Sequence, residues 1–238
     1  MRNKRRILTA LMAIVLSVFM GTATLHASGK KFVRLVDNFI ILFDASATMD
    51  EPYKNTKMRK IEAEKKIIKE RISAIPELGY NVGVYTFVPK VGGTSTVLKP
   101  EAAFTPYFSL RPWNKKQFAK FIDSLPSRGK GPTMMNLSLD SIDRMLAGLS
   151  GRTAIFVFTD GKYADVGLRD WVMPAEIARG IAMKYNTCFY VISSAEGEEA
   201  EKVVNDVAAI NECSQVITFD ELLKNPKFIP GALFVPKK

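Results

Sequence analysis

Apolar residues follow two alternating patterns along the chain. In the first, short runs are almost entirely apolar, as is typical of strands that are buried on both faces. These runs span residues 36–44, 80–88, 153–160, 187–194 and 214–219. A further stretch, 91–99, carries Gly92 and Gly93 and is typical of a hairpin return between strands. The first pattern therefore predicts the strands of a sheet.

In the second pattern, apolar residues recur every three or four positions among charged ones, which predicts amphipathic helices. In the stretch 57–75, for example, Ile61, Ile68 and Ile72 lie at helical spacing. Asn114 is a predicted N-cap for a later helix, because its short side chain accepts a backbone N–H. The helical stretches span residues 57–75, 114–125, 134–149, 172–186, 196–211 and 220–225.

Strands and helices alternate along most of the chain. This order predicts an α/β fold, an open and mostly parallel Rossmann-like sheet with helices on both faces. Ligand sites in such sheets form at the carboxyl ends of the strands. Asp44 and Asp160 each follow a buried strand-like run, so both are expected at that edge.

The N-terminus has the three-part layout of a secretory signal peptide. A basic start is followed by an uncharged apolar run and then by small residues, with cleavage expected after Ala27 or Ala23. We therefore expect residues 1–27 to be a leader, 28–35 an N-terminal segment and 36–238 one domain. The protein is expected to be exported to the periplasm or cell envelope, or secreted. Retention of the leader as an anchor is the alternative, and only then would the protein associate with a membrane.

Loss of the leader removes four basic residues and lowers the formal net charge from +10 to +6. The remaining basic residues are interspersed with acidic ones, which argues against nucleic-acid binding. The leader also contains His26, the only histidine. A mature chain without histidine excludes a Ser-His-Asp triad, a Cys-His pair and a histidine-ligated metal. Cys188 and Cys213 are expected to form a disulfide after export, the alternative being two buried thiols.

Three short motifs combine acids and hydroxyl groups near predicted strand ends. They are "DASAT" with Asp44, Ser46 and Thr48, "GPT" with Thr133, and "FTDG" with Asp160. Taken singly, each is more simply a turn or a helix cap. Together they offer only hard oxygen ligands, which suits Mg²⁺, or Mn²⁺ or Ca²⁺, rather than zinc or copper.

On these motifs the chain resembles the von Willebrand factor A family and its metal-ion-dependent adhesion site. The resemblance assigns as metal ligands Asp44, Ser46, Thr48, Thr133 and Asp160. It extends to exported bacterial A domains found with outer-membrane-protein-A-like proteins, through "ELGYNVGVYTF", "LAGLSGRTAIFVFTDG" and "CFYVISS". It implies a non-enzymatic, metal-dependent adhesion or protein-binding domain, with an Asp or Glu of the partner completing the coordination. The loops 50–53 and 162–165 and Trp113 are candidates for partner choice, although Trp113 equally suits a packing role.

Two alternatives come from other classes. A haloacid-dehalogenase-like phosphohydrolase would use Asp44 as nucleophile, but its general acid would be needed at position 46, where this chain has Ser46. The second alternative is a structural interaction domain whose metal site is inactive.

Overall fold

The structure is a computed structural model that describes residues 31–88, 104–163 and 172–237. The predicted leader, the hairpin return at 91–99 and residues 164–165 of a candidate partner loop lie outside the described residues.

The strands form one large sheet and one small ribbon. They are β1 (Phe32–Arg34), β2 (Asn38–Phe43), β3 (Asn81–Thr86), β4 (Thr105–Pro112), β5 (Thr153–Thr159), β6 (Thr187–Ser193), β7 (Gln215–Thr218) and β8 (Phe234–Pro236). The large sheet has the order β4-β3-β2-β5-β6-β7, with β4 antiparallel to β3 and the other pairs parallel. The prediction of an open, mostly parallel sheet is confirmed. The ribbon pairs β1 with β8, and neither strand was predicted.

Seven α-helices accompany these strands in the described part of the chain. They are α1 (Lys60–Ile67), α2 (Lys115–Ile122), α3 (Met135–Leu146), α4 (Pro174–Lys184), α5 (Glu198–Ala208), α6 (Phe219–Lys224) and α7 (Phe228–Leu233). The stretch expected as one helix over 57–75 is α1 followed by a π-helical turn, Ile68–Ile72. The Asn114 side chain accepts the backbone N–H of Gln117 at 2.9 Å and caps α2 as predicted.

The central strand β2 has a hydrophobic core on each side. Phe39 and Phe43 pack into one core, which also contains buried residues of α1, α2, α6 and α7. Ile40 and Leu42 pack into the other, with residues of α3, α4 and α5. Alternate side chains of a strand point to opposite faces, so a continuous apolar run is the sequence that this position requires. Helices therefore cover both faces of the sheet, as predicted.

Cys188 and Cys213 form a disulfide, with a sequence separation of 25. Cys188 lies near the start of β6, and Cys213 lies just before β7. The bond joins these two neighbouring strands at the amino end of the sheet, opposite the end where Asp44 emerges. The predicted pairing of the two cysteines is confirmed.

Candidate functional site

The chain turns sharply where β2 ends, and the turn is organised by Asp44. The Asp44 carboxylate is fully buried. Its Oδ1 accepts the backbone N–H of Ser46 at 2.9 Å, and its Oδ2 accepts the hydroxyl of Thr159 at 2.9 Å. Because Thr159 is the last residue of β5, this second bond ties the carboxyl ends of the two central strands together.

Two hydroxyl groups converge just beyond this turn. Ser46 Oγ and Thr48 Oγ1 are 3.1 Å apart and share a hydrogen bond. Ser46 precedes a short 3₁₀ turn, Ala47–Asp50, but its side chain makes no capping bond to that turn. The simpler interpretation of Ser46 as a helix cap is therefore wrong. Its hydroxyl is directed to that of Thr48 instead.

The loop that carries Thr133 is joined to this turn through the backbone. The Ala47 N–H donates to Gly131 O at 2.9 Å, and the Lys130 N–H donates to Ala45 O at 2.8 Å. At Gly129 the two chain segments are so close that a Cβ atom would lie 1.9 Å from Ser46 O, so only glycine fits. Thr133 is buried directly after this loop, just before α3.

Asp160 follows β5 and is also fully buried. Its Oδ1 accepts the backbone N–H of Lys162 at 3.2 Å, and its Oδ2 accepts the ammonium of Lys60 at 3.2 Å. Gly161 turns the chain with a φ of +75°, and a Cβ atom there would lie 2.4 Å from Ala200 O. The backbone of this loop is thus pressed against the start of α5, which fixes the position of Asp160.

Sequence reasoning missed two buried charged residues of α1. Lys60 Nζ lies between Asp160 and Glu51, with Glu51 Oε2 at 3.1 Å. Glu64 Oε1 accepts the backbone N–H of Asp44 at 3.1 Å, while Glu64 Oε2 is buried without a hydrogen-bond partner in the part of the chain that is described.

A signal for Glu64 was present in the helical pattern. The apolar stripe of this segment jumps seven residues, from Ile61 to Ile68. The position between them on the same face is Glu64, because residues three or four apart share a helix face. A charged residue that interrupts an apolar stripe is expected to be buried, and this one contacts the site.

Burial and mutual repulsion govern the electrostatics of these groups. Burial, reinforced by the charge of Asp160, raises the pKa of the Asp44 carboxyl from 3.8 to about 7. Burial and the charges of Asp44 and Asp160 raise the pKa of Glu64 well above its ordinary value. For Lys60, burial acts to lower the pKa, but the carboxylates of Asp160 and Glu51 outweigh it and raise the pKa above its usual value. Carboxyl groups therefore outnumber cations in this buried region, and burial shifts Asp44 and Glu64 toward their neutral forms.

The residues that were candidates for partner choice lie at different ends of the sheet. Trp113 is buried near the amino end of β3, where its indole N–H donates to Ile75 O and its ring packs against Phe39. It is a packing anchor, and its candidacy for partner contact is wrong. Glu51 and Lys162 form an ion pair at 3.0 Å beside Asp160, at the carboxyl edge.

The donor groups fit a hard divalent cation. The five candidate ligands lie on loops at one edge of the sheet. Two of them offer carboxylate oxygens and three offer uncharged hydroxyl oxygens. Such oxygen sets are those that Mg²⁺ and Mn²⁺ take up, together with water. Within residues 31–88, 104–163 and 172–237, no group of three or more His, Cys, Asp or Glu is placed to hold a metal. The candidate ligand set in the described residues is thus rich in hydroxyl groups and contains no such cluster.

Comparisons with known proteins identify relatives through structure. None of the protein-family models matches the chain, and no curated protein is similar to it in sequence at a significant level.

Among the described residues, no helix has the length and apolarity needed to cross a membrane.

Solved structures, in contrast, match over most of the chain. An aerotolerance-related membrane protein from Bacteroides fragilis is 14% identical with a TM-score of 0.54, over 82% of this chain and 97% of that one. The manganese-loaded TRAP protein of Plasmodium vivax is 14% identical with a TM-score of 0.56, over 87% of this chain and 80% of that one. The VWA domain of SpRpn10 is 16% identical with a TM-score of 0.51, over 80% of this chain and 95% of that one. The chain therefore has a von Willebrand factor A fold.

Proposed function

We propose that this chain is an exported, non-enzymatic domain that binds a protein partner through a divalent cation. The hydroxyls of Ser46, Thr48 and Thr133 and the carboxylates of Asp44 and Asp160 would hold the cation. The observation that carries the proposal is the joint placement of these oxygen groups at the carboxyl edge of a sheet whose fold relatives include a manganese-loaded protein.

The chemistry of this donor set favours an open site. Hydroxyl ligands carry no charge, so a bound Mg²⁺ or Mn²⁺ would keep much of its positive charge and attract an anion. A carboxylate from an Asp or Glu of a partner protein is the anion that suits such a position. Glu51 and Lys162, which lie beside Asp160, would face that partner.

Two observations support export. The disulfide between Cys188 and Cys213 is typical of proteins that fold in an oxidising compartment. The fold relative from Bacteroides fragilis is described as a membrane protein. We propose the periplasm or cell envelope as the location, with secretion as the alternative.

The first test is the thermal stability of the protein with and without Mn²⁺ or Mg²⁺. At a hundredfold excess over its Kd, a bound cation stabilises the folded state by about 2.7 kcal/mol. Asp44→Ala is expected to abolish this gain. Asp37→Ala, which changes an Asp at the opposite end of the same strand, is the matched control and should retain it.

The conservative variant Thr48→Val guards against a folding defect in Asp44→Ala. It removes one partly exposed hydroxyl and should weaken the response to the cation. Equal responses in the wild type, Asp44→Ala and Thr48→Val would contradict the proposal.

A pull-down from envelope extract in Mg²⁺ or in chelator, repeated with Asp44→Ala, then tests whether partner capture needs both the cation and the site.

A further inference from the structure

Lys60 places a positive charge inside the candidate metal site. It is the first residue of α1, and its side chain is only 2% exposed. Its ammonium lies 3.2 Å from Asp160 Oδ2 and 3.1 Å from Glu51 Oε2. An ammonium group donates hydrogen bonds and accepts none, so this contact uses a carboxylate oxygen that a cation would also need.

The burial of Lys60 is unusual for a lysine. Lysine is among the residues that are almost never fully buried unless they are paired. The carboxylates of Asp44, Asp160 and Glu64 are all completely buried nearby, and Lys60 is the buried cation among them in the described residues. Its burial is therefore explained by its ion pairs with Asp160 and Glu51 in a region rich in carboxyl groups.

We propose that Lys60 is a tethered cation that balances Asp160 when no metal is bound and competes with the divalent cation for that carboxylate. This inference rests on the proposed function, because it concerns the same site. Lys60 thereby sets the affinity of the site. The divalent cation binds only at a concentration high enough to compete with the Lys60 ammonium for Asp160. The ammonium must then move away from Asp160, or it remains and repels the bound cation.

The chain supplies a matched control for this idea. Lys162 donates to the same Glu51 oxygen, at 3.0 Å, but its side chain is 42% exposed. Only its backbone N–H contacts Asp160. Lys60→Met and Lys162→Met therefore remove one positive charge each from the neighbourhood of Glu51, but only the first removes an ammonium from Asp160.

The test is a calorimetric titration of metal-free wild type, Lys60→Met and Lys162→Met with Mn²⁺. We expect Lys60→Met to bind Mn²⁺ roughly tenfold or more tightly than the wild type, because repulsion between buried like charges is only weakly screened. Lys162→Met should stay within about twofold, as an exposed charge is well screened. Without metal, Lys60→Met should unfold at a lower temperature than the wild type, and Mn²⁺ should restore it.

Lys60→Gln serves if Lys60→Met does not fold. It keeps a hydrogen-bond donor near Asp160 while removing the charge, and it should also bind Mn²⁺ more tightly than the wild type.

The outcomes separate this inference from the proposed function. Equal or weaker binding by both Lys60 variants, with wild-type binding intact, overturns the inference and leaves the metal-dependent function standing. Binding by the Lys60 variants alone supports the inference but contradicts the proposed function of the natural chain. No binding by any variant overturns both.

Discussion

The two ends of the central strands are equally buried but hold polar groups of different kinds. At the amino end, the Asn38 side chain donates to Ser150 O and to Thr153 Oγ1, and accepts from Asn81 Nδ2. All of these groups are neutral, and each has a partner. At the carboxyl end of the same strands, Asp44 and Asp160 are buried acidic groups, and Lys60 pairs only with Asp160.

The difference separates a structural end from the end for which we propose a function. Neutral side chains with complete hydrogen bonds stabilise a fold and need no ligand. A buried excess of carboxylates is unfavourable for the fold, because burial penalises charge, and such groups cluster at functional sites. The amino end does carry an ion pair, Arg34 with Asp37, but both side chains are more than a third exposed, so it adds little stability.

The largest expected effect belongs to the amino end and should leave the metal response untouched. Replacing Cys188 and Cys213 by Ser opens a loop of 25 residues and is expected to lower the free energy of unfolding by about 3–4 kcal/mol. Urea unfolding measures the loss. The Mn²⁺-induced thermal shift should persist at temperatures where the variant is folded. Its disappearance would show that the two ends are not independent.

The second effect is a pH dependence that arises at the carboxyl end. The pKa of Asp44 is about 7 in the folded protein, against an ordinary value of 3.8, so the folded state binds its proton more tightly than the unfolded chain does. Stability from this group is therefore greatest at low pH and falls as pH rises toward 7. Between pH 5 and pH 8, the metal-free protein should lose roughly 2–3 kcal/mol.

Urea unfolding in chelator at both pH values measures this loss, and Asp44→Asn should reduce it. The charges of Asp160 and Glu64 act on Asp44, and Lys60 faces this group indirectly, through its ion pair with Asp160. A wild-type stability that is the same at pH 5 and pH 8 would count against an excess of buried negative charge at this end.

Asn38→Ala should destabilise the protein by about 2 kcal/mol, because it removes three hydrogen bonds and leaves the buried Thr153 hydroxyl without its Asn38 partner. The Mn²⁺ response should remain that of the wild type. A reduced response would extend the functional region to the amino end.

The smallest expected effect has the opposite sign. Glu64→Gln keeps an acceptor for the Asp44 N–H but removes a buried carboxyl with an unsatisfied oxygen. At pH 8 it should stabilise the metal-free protein by roughly 1–2 kcal/mol. The control is Glu70→Gln, on the exposed side of the next helical turn, which should change little. A destabilised Glu64→Gln would mean that the charge of Glu64 supports the fold.

The sequence predicted the sheet well because its strands are buried on both faces. The apolar runs that end at Asp44 and at Asp160 are each most simply explained as a strand in the middle of a parallel sheet. The strands β1, β4 and β8 were missed because they lie at edges and are partly exposed, so no continuous apolar run marks them. Pairing of β1 with β8 also joins segments about two hundred residues apart.

Site residues could be predicted where a motif fixes the spacing. Asp44, Ser46 and Thr48 occupy a single turn, and the structure places Thr133 and Asp160 on loops at the same edge. Their role as metal ligands stays a prediction. Lys60 and Glu64 were missed because the charge pattern of α1 resembles that of a solvated helix. The gap in the apolar stripe could have indicated Glu64, but for Lys60 only the packing of the folded chain shows that the charge is inside.

The junction between the two loops that carry candidate metal ligands has a consequence for protein engineering. Ala47, Gly131, Lys130 and Ala45 contribute to the junction through main-chain atoms. The Asp50 carboxylate adds side-chain contacts, to the Arg128 guanidinium and to the backbone N–H of Gly129. Ala47 and Lys130 are exposed, and their side chains take no part in the junction. We predict that substitutions at positions 47 and 130 leave the hydroxyl groups of Ser46 and Thr133 in place, so these two positions can be varied in a library selection for new binding partners.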